Sequence, residues 1–311
     1  MREGERIDEE TEMRPAKISG CQTPGLGVVS IKPYDSLRQS PRAGVHGGFH
    51  RRNRMLLIED LRVKLGDHLI LANINLEIKA GETHVLFGPN GSGKTSLLMT
   101  IMGYPQYQIV EGRILFKGVD ITHLPINERA DLGIGMSYQR PPTINGLKTR
   151  QMVQICAKNE GAVEDLARRV NFEEFLDRDV NAGFSGGEIK RSELLQLMAQ
   201  NPELILFDEP ESGVDMENIT LVGNTIASLL QKGYASVVDD DGQCKMELRR
   251  RRTKMGLIIT HTGYILDYVT ADKGQVLFNG VLSCTNNPRE IFKQISKSGY
   301  GECVKCISER S

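Results

Sequence analysis

The stretch Gly88-Pro89-Asn90-Gly91-Ser92-Gly93-Lys94-Thr95 constrains this chain more than any other part of it. It follows the apolar run Thr83 to Phe87 and precedes the helical run Ser96 to Met102, so it predicts a strand, a glycine-rich turn and a helix in succession. The glycines let consecutive backbone N–H groups turn inward on an anion, and the following helix presents its positive end to the same group. Lys94 is expected to bridge the β- and γ-phosphates of a nucleotide, and the Thr95 hydroxyl to ligate Mg2+. Gly88, Pro89, Asn90, Gly91, Ser92, Gly93, Lys94, Thr95 and Ser96 are therefore the candidate nucleotide-binding residues, with ATP and Mg2+ as the implied ligands.

The surrounding pattern is that of an α/β protein. From Leu56 to Ile78 branched apolar residues alternate with polar ones around Gly66-Asp67, which predicts an antiparallel hairpin. Short apolar runs then alternate with helical stretches, as in Thr83 to Phe87, Leu204 to Phe207 and Gly256 to Thr260, which implies buried parallel strands. Thr149 to Asp177 reads as helical, with Met152, Ile155, Val163, Leu166 and Val170 on its apolar face, and marks a candidate helical subdomain at about 140–184. A hydrophobic content of 39% in 311 residues is enough for a real core. Lys plus Arg (39) nearly balance Asp plus Glu (40), which removes any global bias toward nucleic acid or anionic lipid. No apolar run reaches the roughly 18 residues of a membrane span, and the six cysteines are too scattered for a disulfide framework, so a cytoplasmic protein with reduced thiols is expected.

Three segments stand outside this pattern. Residues 1–54 lack sustained periodicity and end in the basic cluster His50, Arg51, Arg52 and Arg54, so they read as a disordered extension with Met55 as a candidate natural start. Residues 233–254 carry Asp239-Asp240-Asp241-Gly242 and then Arg249 to Arg252, a flexible charged insertion. Cys303 and Cys306 form only half of a four-ligand metal site.

Two further motifs carry chemistry. The run Leu204-Ile205-Leu206-Phe207-Asp208-Glu209-Pro210 delivers two carboxylates at the C-terminal end of a strand, where open α/β sheets bind ligands. Asp208 is suited to hold Mg2+, directly or through water, and Glu209 to take the proton of the attacking water. Phe184-Ser185-Gly186-Gly187-Glu188 opens the helical run Ile189 to Ala199, so Ser185 and the amides of Gly186 and Gly187 form a second anion site.

With these motifs in order, the chain resembles the ABC (ATP-binding-cassette) ATPase family. The resemblance implies that the loop at Ser185 to Glu188 faces the nucleotide of an opposite subunit. It implies that Gln139 senses Mg2+, that His261 contacts the γ-phosphate and that Asp215 lies in a loop crossing the dimer interface. Catalytic roles then fall to Glu209, His261 and Lys94, and metal contacts to Thr95, Gln139 and Asp208. Family members often stack the adenine on an aromatic residue, whereas Leu65 occupies the corresponding place here.

Between the motifs, Asn181-Ala182-Gly183-Phe184, Glu188 followed by Lys190-Arg191, Glu211 to Asp215, Thr260 to Tyr268 and Gly299-Tyr300-Gly301 are similar to the SufC branch of that family, over about Met55 to Cys306. This implies an ABC-type P-loop ATPase domain at 55–311, with an N-terminal antiparallel β subdomain, a parallel-sheet core and a small helical subdomain. It also implies a SufB-type scaffold as partner, with or without a SufD-type protein, and an ATP-dependent homodimer within that iron-sulfur cluster assembly complex. No nucleic acid and no membrane insertion are expected. An ABC importer ATPase is the alternative.

Overall fold

The computed structural model describes residues 55–158, 162–232 and 252–301. The expectations for residues 1–54, for the charged stretch 233–251 and for Cys303 and Cys306 lie outside the described residues.

Strands β1 (Met55–Leu65) and β2 (His68–Lys79) form the expected hairpin, turning at Gly66 with φ +57°. Their alternation buries Leu56, Ile58 and Val63 against Leu71, Leu76 and Ile78, and register shifts near Asp60 and Leu61 keep the buried face continuous. The hairpin continues through β4 (Tyr107–Phe116) and β5 (Val119–Asp120) into a four-stranded antiparallel sheet ordered β2-β1-β4-β5.

The second sheet contains β3 (Thr83–Phe87), β6 (Ile134–Ser137), β9 (Leu204–Asp208), β10 (Met255–Ile259), β11 (Lys273–Phe278) and β12 (Val281–Asn286), in the order β12-β11-β3-β10-β9-β6. All neighbours are parallel except the β11–β12 edge hairpin. Strands β3, β6, β9 and β10 are buried along their whole length, which is why they read as uninterrupted apolar runs. Helix α1 (Lys94–Met102) follows β3 directly and packs its Leu97, Leu98 and Ile101 into the core shared by the two sheets. Helix α2 (Ile126–Asp131) lies against it and contributes the buried Arg129.

The stretch expected to be helical over 149–177 is broken into α3 (Thr149–Cys156), α4 (Val163–Arg169) and a 3-10 turn at Glu173–Phe175. It is also clamped by a short antiparallel pair, β7 (Ile144–Lys148) and β8 (Asp179–Val180), which apolar periodicity does not reveal. Val163 and Val170 are buried as expected, but Ile155 is 61% exposed and its place in the core is taken by Val153. Residues two apart in a helix point to different sides, so burying Val153 turns Ile155 outward.

Helix α5 (Gly186–Gln200) joins this helical unit to the sheet through Leu194, Leu195 and Leu197, and α6 (Met216–Leu229) and α7 (Pro288–Ser298) cover the sheet on the same core. Phe184, just before α5, meets Phe172 and Phe175 edge-on at 5.6 and 5.5 Å, with the Arg178 guanidinium 4.8 Å from its ring centre. An aromatic residue at this position is thus a packing element of the helical unit. Among the described residues, no helix is long and apolar enough to cross a membrane.

Candidate nucleotide site

Four parallel strands deliver their C-terminal ends to one edge of the sheet. β3 leads to the glycine loop, β9 to Asp208 and Glu209, β10 to Thr260 and His261, and β6 to Tyr138 and Gln139. The register holds these ends level, since Ile259 pairs with both Leu86 and Asp208, and Ser137 with Phe207. Residues far apart in sequence therefore face a single cleft of about 780 Å3, lined among others by Asn90, Lys94, Thr95, Gln139, Glu209 and His261.

The loop is built around close backbone approach. A Cβ on Gly88 would lie 2.2 Å from the Leu277 carbonyl oxygen, so only glycine fits there. Gly93 caps α1 at φ +102° without a side-chain acceptor for the first helical N–H groups, and no acidic residue occupies the first turn. Those donors are left for an anion. Ser92 Oγ is likewise buried, with no hydrogen-bond partner among the described residues. Lys94 is 6% exposed and curls back, its Nζ donating to Gly88 O at 2.8 Å and Pro89 O at 2.9 Å. Burial pulls its pKa below the usual lysine range, against the opposing charges of Glu209 and Asp208.

The two carboxylates at the end of β9 have separate environments. Asp208 is 1% exposed, and Thr95 Oγ1 donates to it at 3.0 and 3.2 Å. Burial pushes its carboxyl above the ordinary aspartate range, only partly countered by Thr95. A hydroxyl and a buried carboxylate, both oxygen donors beside the phosphate loop, suit a hard divalent cation. Glu209 sits at φ +49°, an uncommon conformation for a residue with a Cβ. Its carboxylate is gripped from both sides, by Gln139 Nε2 at 2.7 Å and His261 Nε2 at 2.7 Å. Gln139 is thus engaged with Glu209, while the Thr95–Asp208 pair stands apart from it.

A buried network fixes the strand end that launches Gln139. Glu193 of α5 accepts from Tyr138 N at 2.8 Å and Ser137 Oγ at 3.0 Å, and Lys190 donates both to Glu193 at 3.0 Å and to the Tyr138 carbonyl. Burial raises the Glu193 carboxyl, with Lys190 opposing.

The second glycine motif lies elsewhere on the chain. Ser185 and Glu188 close a reciprocal capping box on α5, with Glu188 Oε2 accepting from Ser185 N at 2.8 Å and Ser185 Oγ accepting from Glu188 N at 3.4 Å. A Cβ on Gly186 would lie 1.9 Å from the Gly213 carbonyl, and one on Gly187 would lie 2.9 Å from the Asn218 amide. Asp215 caps α6 by accepting from Asn218 N at 2.8 Å and holds that same Asn218 amide at 2.9 Å. Ser185, Gly186 and Asp215 are exposed and none of them lines the cleft.

Leu65, expected at the base position, ends β1 and pairs with His68 and Tyr107. The cleft is lined instead by Leu69 and Ile70 of β2, with Asn279 and Gly280 from the β11–β12 turn. Neither pair was readable beforehand, because only the fold carries these turns to the phosphate loop.

Residues 71–212 match the family model described as ABC transporter. A probable ATP-dependent transporter, ycf16, of Cyanidium caldarium is 33% identical over 80% of this chain and 96% of its own length. The probable ATP-dependent transporter SufC of Escherichia coli (strain K12) is 33% identical over 79% of this chain and 98% of its own. The fold is similar to that of a nucleotide-free ATP-binding cassette from an ABC transporter, with a TM-score of 0.62 at 23% identity, covering 80% of this chain and 98% of that one. Motifs, topology and relatives agree, and the chain belongs to the ABC-type ATPase family, in the group that carries the SufC and ycf16 names.

Proposed function

We propose that this ATPase is the motor subunit of an iron-sulfur cluster assembly complex in the cytoplasm, where two copies pair on ATP and drive a conformational change in a SufB-type scaffold, with or without a SufD-type partner. The observation that carries the ATPase part is the convergence of Lys94, Thr95, Gln139, Glu209 and His261 on one cleft, with Asp208 buried behind Thr95. The Suf assignment is supported by relatives of that name over most of the chain.

In this reading the β- and γ-phosphates lie on the loop amides of Gly88 to Thr95, and Lys94 exchanges the carbonyls of Gly88 and Pro89 for phosphate oxygens. Thr95 and Asp208 hold Mg2+, which when bound neutralises phosphate charge; Gln139 comes within reach of that pair once it leaves Glu209. Glu209 accepts the proton of the attacking water, and His261 donates to the γ-phosphate. Both partners of Glu209 must therefore loosen before hydrolysis, so the Gln139–Glu209–His261 contact is a resting arrangement. The head of α5, Ser185 to Glu188 with Ser185 and Gly186 exposed, and the exposed Asp215 beside it serve the site of the second copy. With the donors of that copy missing, each site is only half built.

A second reading, the ATP-binding subunit of an ABC importer, is favoured by relatives with general ABC transporter names, such as the ATP-binding protein MJ0035 of Methanocaldococcus jannaschii at 32% identity. Affinity capture of the tagged chain from its own cells, followed by mass spectrometry, separates the two. A SufB-like protein among the captured partners supports the motor. An integral membrane permease without any SufB-like protein makes the importer correct.

A further inference from the structure

Glu211 is a buried carboxylate that none of the roles above uses. It is 7% exposed and lies two residues beyond Glu209, on the turn that leaves β9. One of its oxygens, Oε1, accepts the hydroxyl of Thr260 and, at 3.0 Å, the hydroxyl of Thr262. These two threonines flank His261. The other oxygen, Oε2, is buried and makes no hydrogen bond among the described residues. Burial raises the Glu211 carboxyl above the ordinary glutamate range, with the two hydroxyls opposing that shift. An arrangement this unfavourable for a carboxylate calls for a reason beyond filling space.

The geometry supplies one. Two short segments, Glu209 to Glu211 and Thr260 to Thr262, run side by side and are tied at three places. Glu209 N donates to Ile259 O at 3.1 Å, His261 Nε2 meets Glu209 Oε1 at 2.7 Å, and Glu211 closes the far end through both threonines. The threonines pass the constraint to the backbone, since Thr260 Oγ1 accepts from Gly263 N at 2.9 Å and Thr262 Oγ1 from Tyr264 N at 3.4 Å. The turn bearing His261 is thus shaped by one oxygen of one carboxylate. A single backbone hydrogen bond at Glu209 would leave that turn free to rotate about its root.

We infer that Glu211 is a positioning residue for ATP hydrolysis, one that fixes the backbone of the turn bearing His261 by holding Thr260 and Thr262 on a single oxygen. The inference rests on the proposed roles of Glu209 and His261. Misplacing a catalytic group by about 1 Å can lower turnover on the order of a hundredfold while substrate binding is spared.

The test compares the full-length chain with its Glu211→Leu, Glu211→Gln and Thr262→Val variants, measuring ATP turnover, ATP affinity and the His261 ring resonances by NMR. Those resonances are identified by their loss in His261→Ala. Glu211→Leu is expected to lower kcat roughly a hundredfold with ATP affinity within about threefold. Glu211→Gln, whose carbonyl can still accept both hydroxyls, is expected to keep most of the turnover. Thr262 is exposed, so its valine variant tests the tie without burying a new group, and an intermediate fall is expected. The His261 resonances should move in Glu211→Leu and Thr262→Val and stay in place in Glu211→Gln. Unmoved His261 resonances in Glu211→Leu, or equal losses in the Leu and Gln variants, would overturn the inference. Glu209→Gln and His261→Ala are run alongside: if they hydrolyse ATP normally, the site assignment itself fails, whereas if they are inactive and Glu211→Leu is normal, only the role of Glu211 fails.

Discussion

Replacing Arg129 by Met is predicted to destabilise the whole domain from a position outside the cleft. Arg129 is 2% exposed and spends its guanidinium on carbonyls: Nη1 donates to Thr100 O at 2.8 Å and Ile101 O at 2.9 Å, Nη2 to Thr122 O at 3.1 Å, and Nε to Leu124 O at 2.8 Å. It therefore caps the last turn of α1, the helix that begins with Lys94 and Thr95, and holds it to the segment after β5. In the variant Thr100 O keeps the N–H of Gly103, but Ile101, Thr122 and Leu124 lose the guanidinium. At about 2 kcal/mol for each orphaned carbonyl the loss is about 6 kcal/mol. Against this stands the relief of a buried charge, whose desolvation depresses the Arg129 pKa from the usual arginine range to about 10, a penalty of roughly 3 kcal/mol. The net destabilisation is about 3 kcal/mol, and at roughly 2–4 °C per kcal/mol for a domain of this size Tm falls by about 6–12 °C. Thermal unfolding followed by circular dichroism reads it directly. Arg129→Lys, which keeps the charge but loses the fork, should fall in between. A Tm in Arg129→Met within about 2 °C of the parent would refute the argument that these carbonyls depend on the guanidinium.

Two other predictions follow from the cleft. Because burial raises the Asp208 carboxyl, its ionisation is penalised in the fold, so that stability is fully present below the unfolded pKa near 3.8 and is lost as pH rises through the folded value. Asp208→Asn without nucleotide or Mg2+ should consequently melt higher than the parent at pH 7, with the gain shrinking toward pH 4; an undiminished gain at pH 4, or a lower Tm at pH 7, contradicts the sign. In the proposed reading Leu69 and Ile70 receive the base, and among the described residues no aromatic side chain lines the cleft, so ATP and GTP should bind with similar affinity. Leu69→Tyr should strengthen ATP binding by about tenfold, since stacking is worth on the order of 1–3 kcal/mol per base, and calorimetry that finds a strong ATP preference in the parent would count against an aliphatic platform.

The elements that bear the site were legible because local chemistry sets them. The glycine loop, the apolar strand ending in Asp208-Glu209 and the hairpin at Gly66 each depend on residues adjacent in sequence, and the structure has β1, β2, β3, α1 and β9 where the pattern puts them. What could not be read are relations between distant segments. The grip of Gln139 and His261 on Glu209, the Lys190–Glu193 brace beneath Tyr138 and the tie from Glu211 to Thr260 and Thr262 exist only once four parallel strands stand in register. The exposure of Ile155 has a related cause, since the fold divides into two helices a stretch whose apolar residues read as one stripe. Leu69 and Ile70 carry no mark of their place, because nothing local identifies the start of an edge strand as part of a nucleotide cleft.

The central claim is that this chain carries half of an ATP site which a second copy completes. Glu209→Gln keeps the side-chain shape while removing the proton acceptor, so it should bind Mg-ATP without turning it over. Light scattering of that variant with Mg-ATP is predicted to give twice the mass of the chain, reverting to a single copy when Ser185 is also replaced by Arg at the exposed head of α5. A mass that is the same with and without Mg-ATP, or ATP turnover in Glu209→Gln equal to that of the parent, would contradict the account.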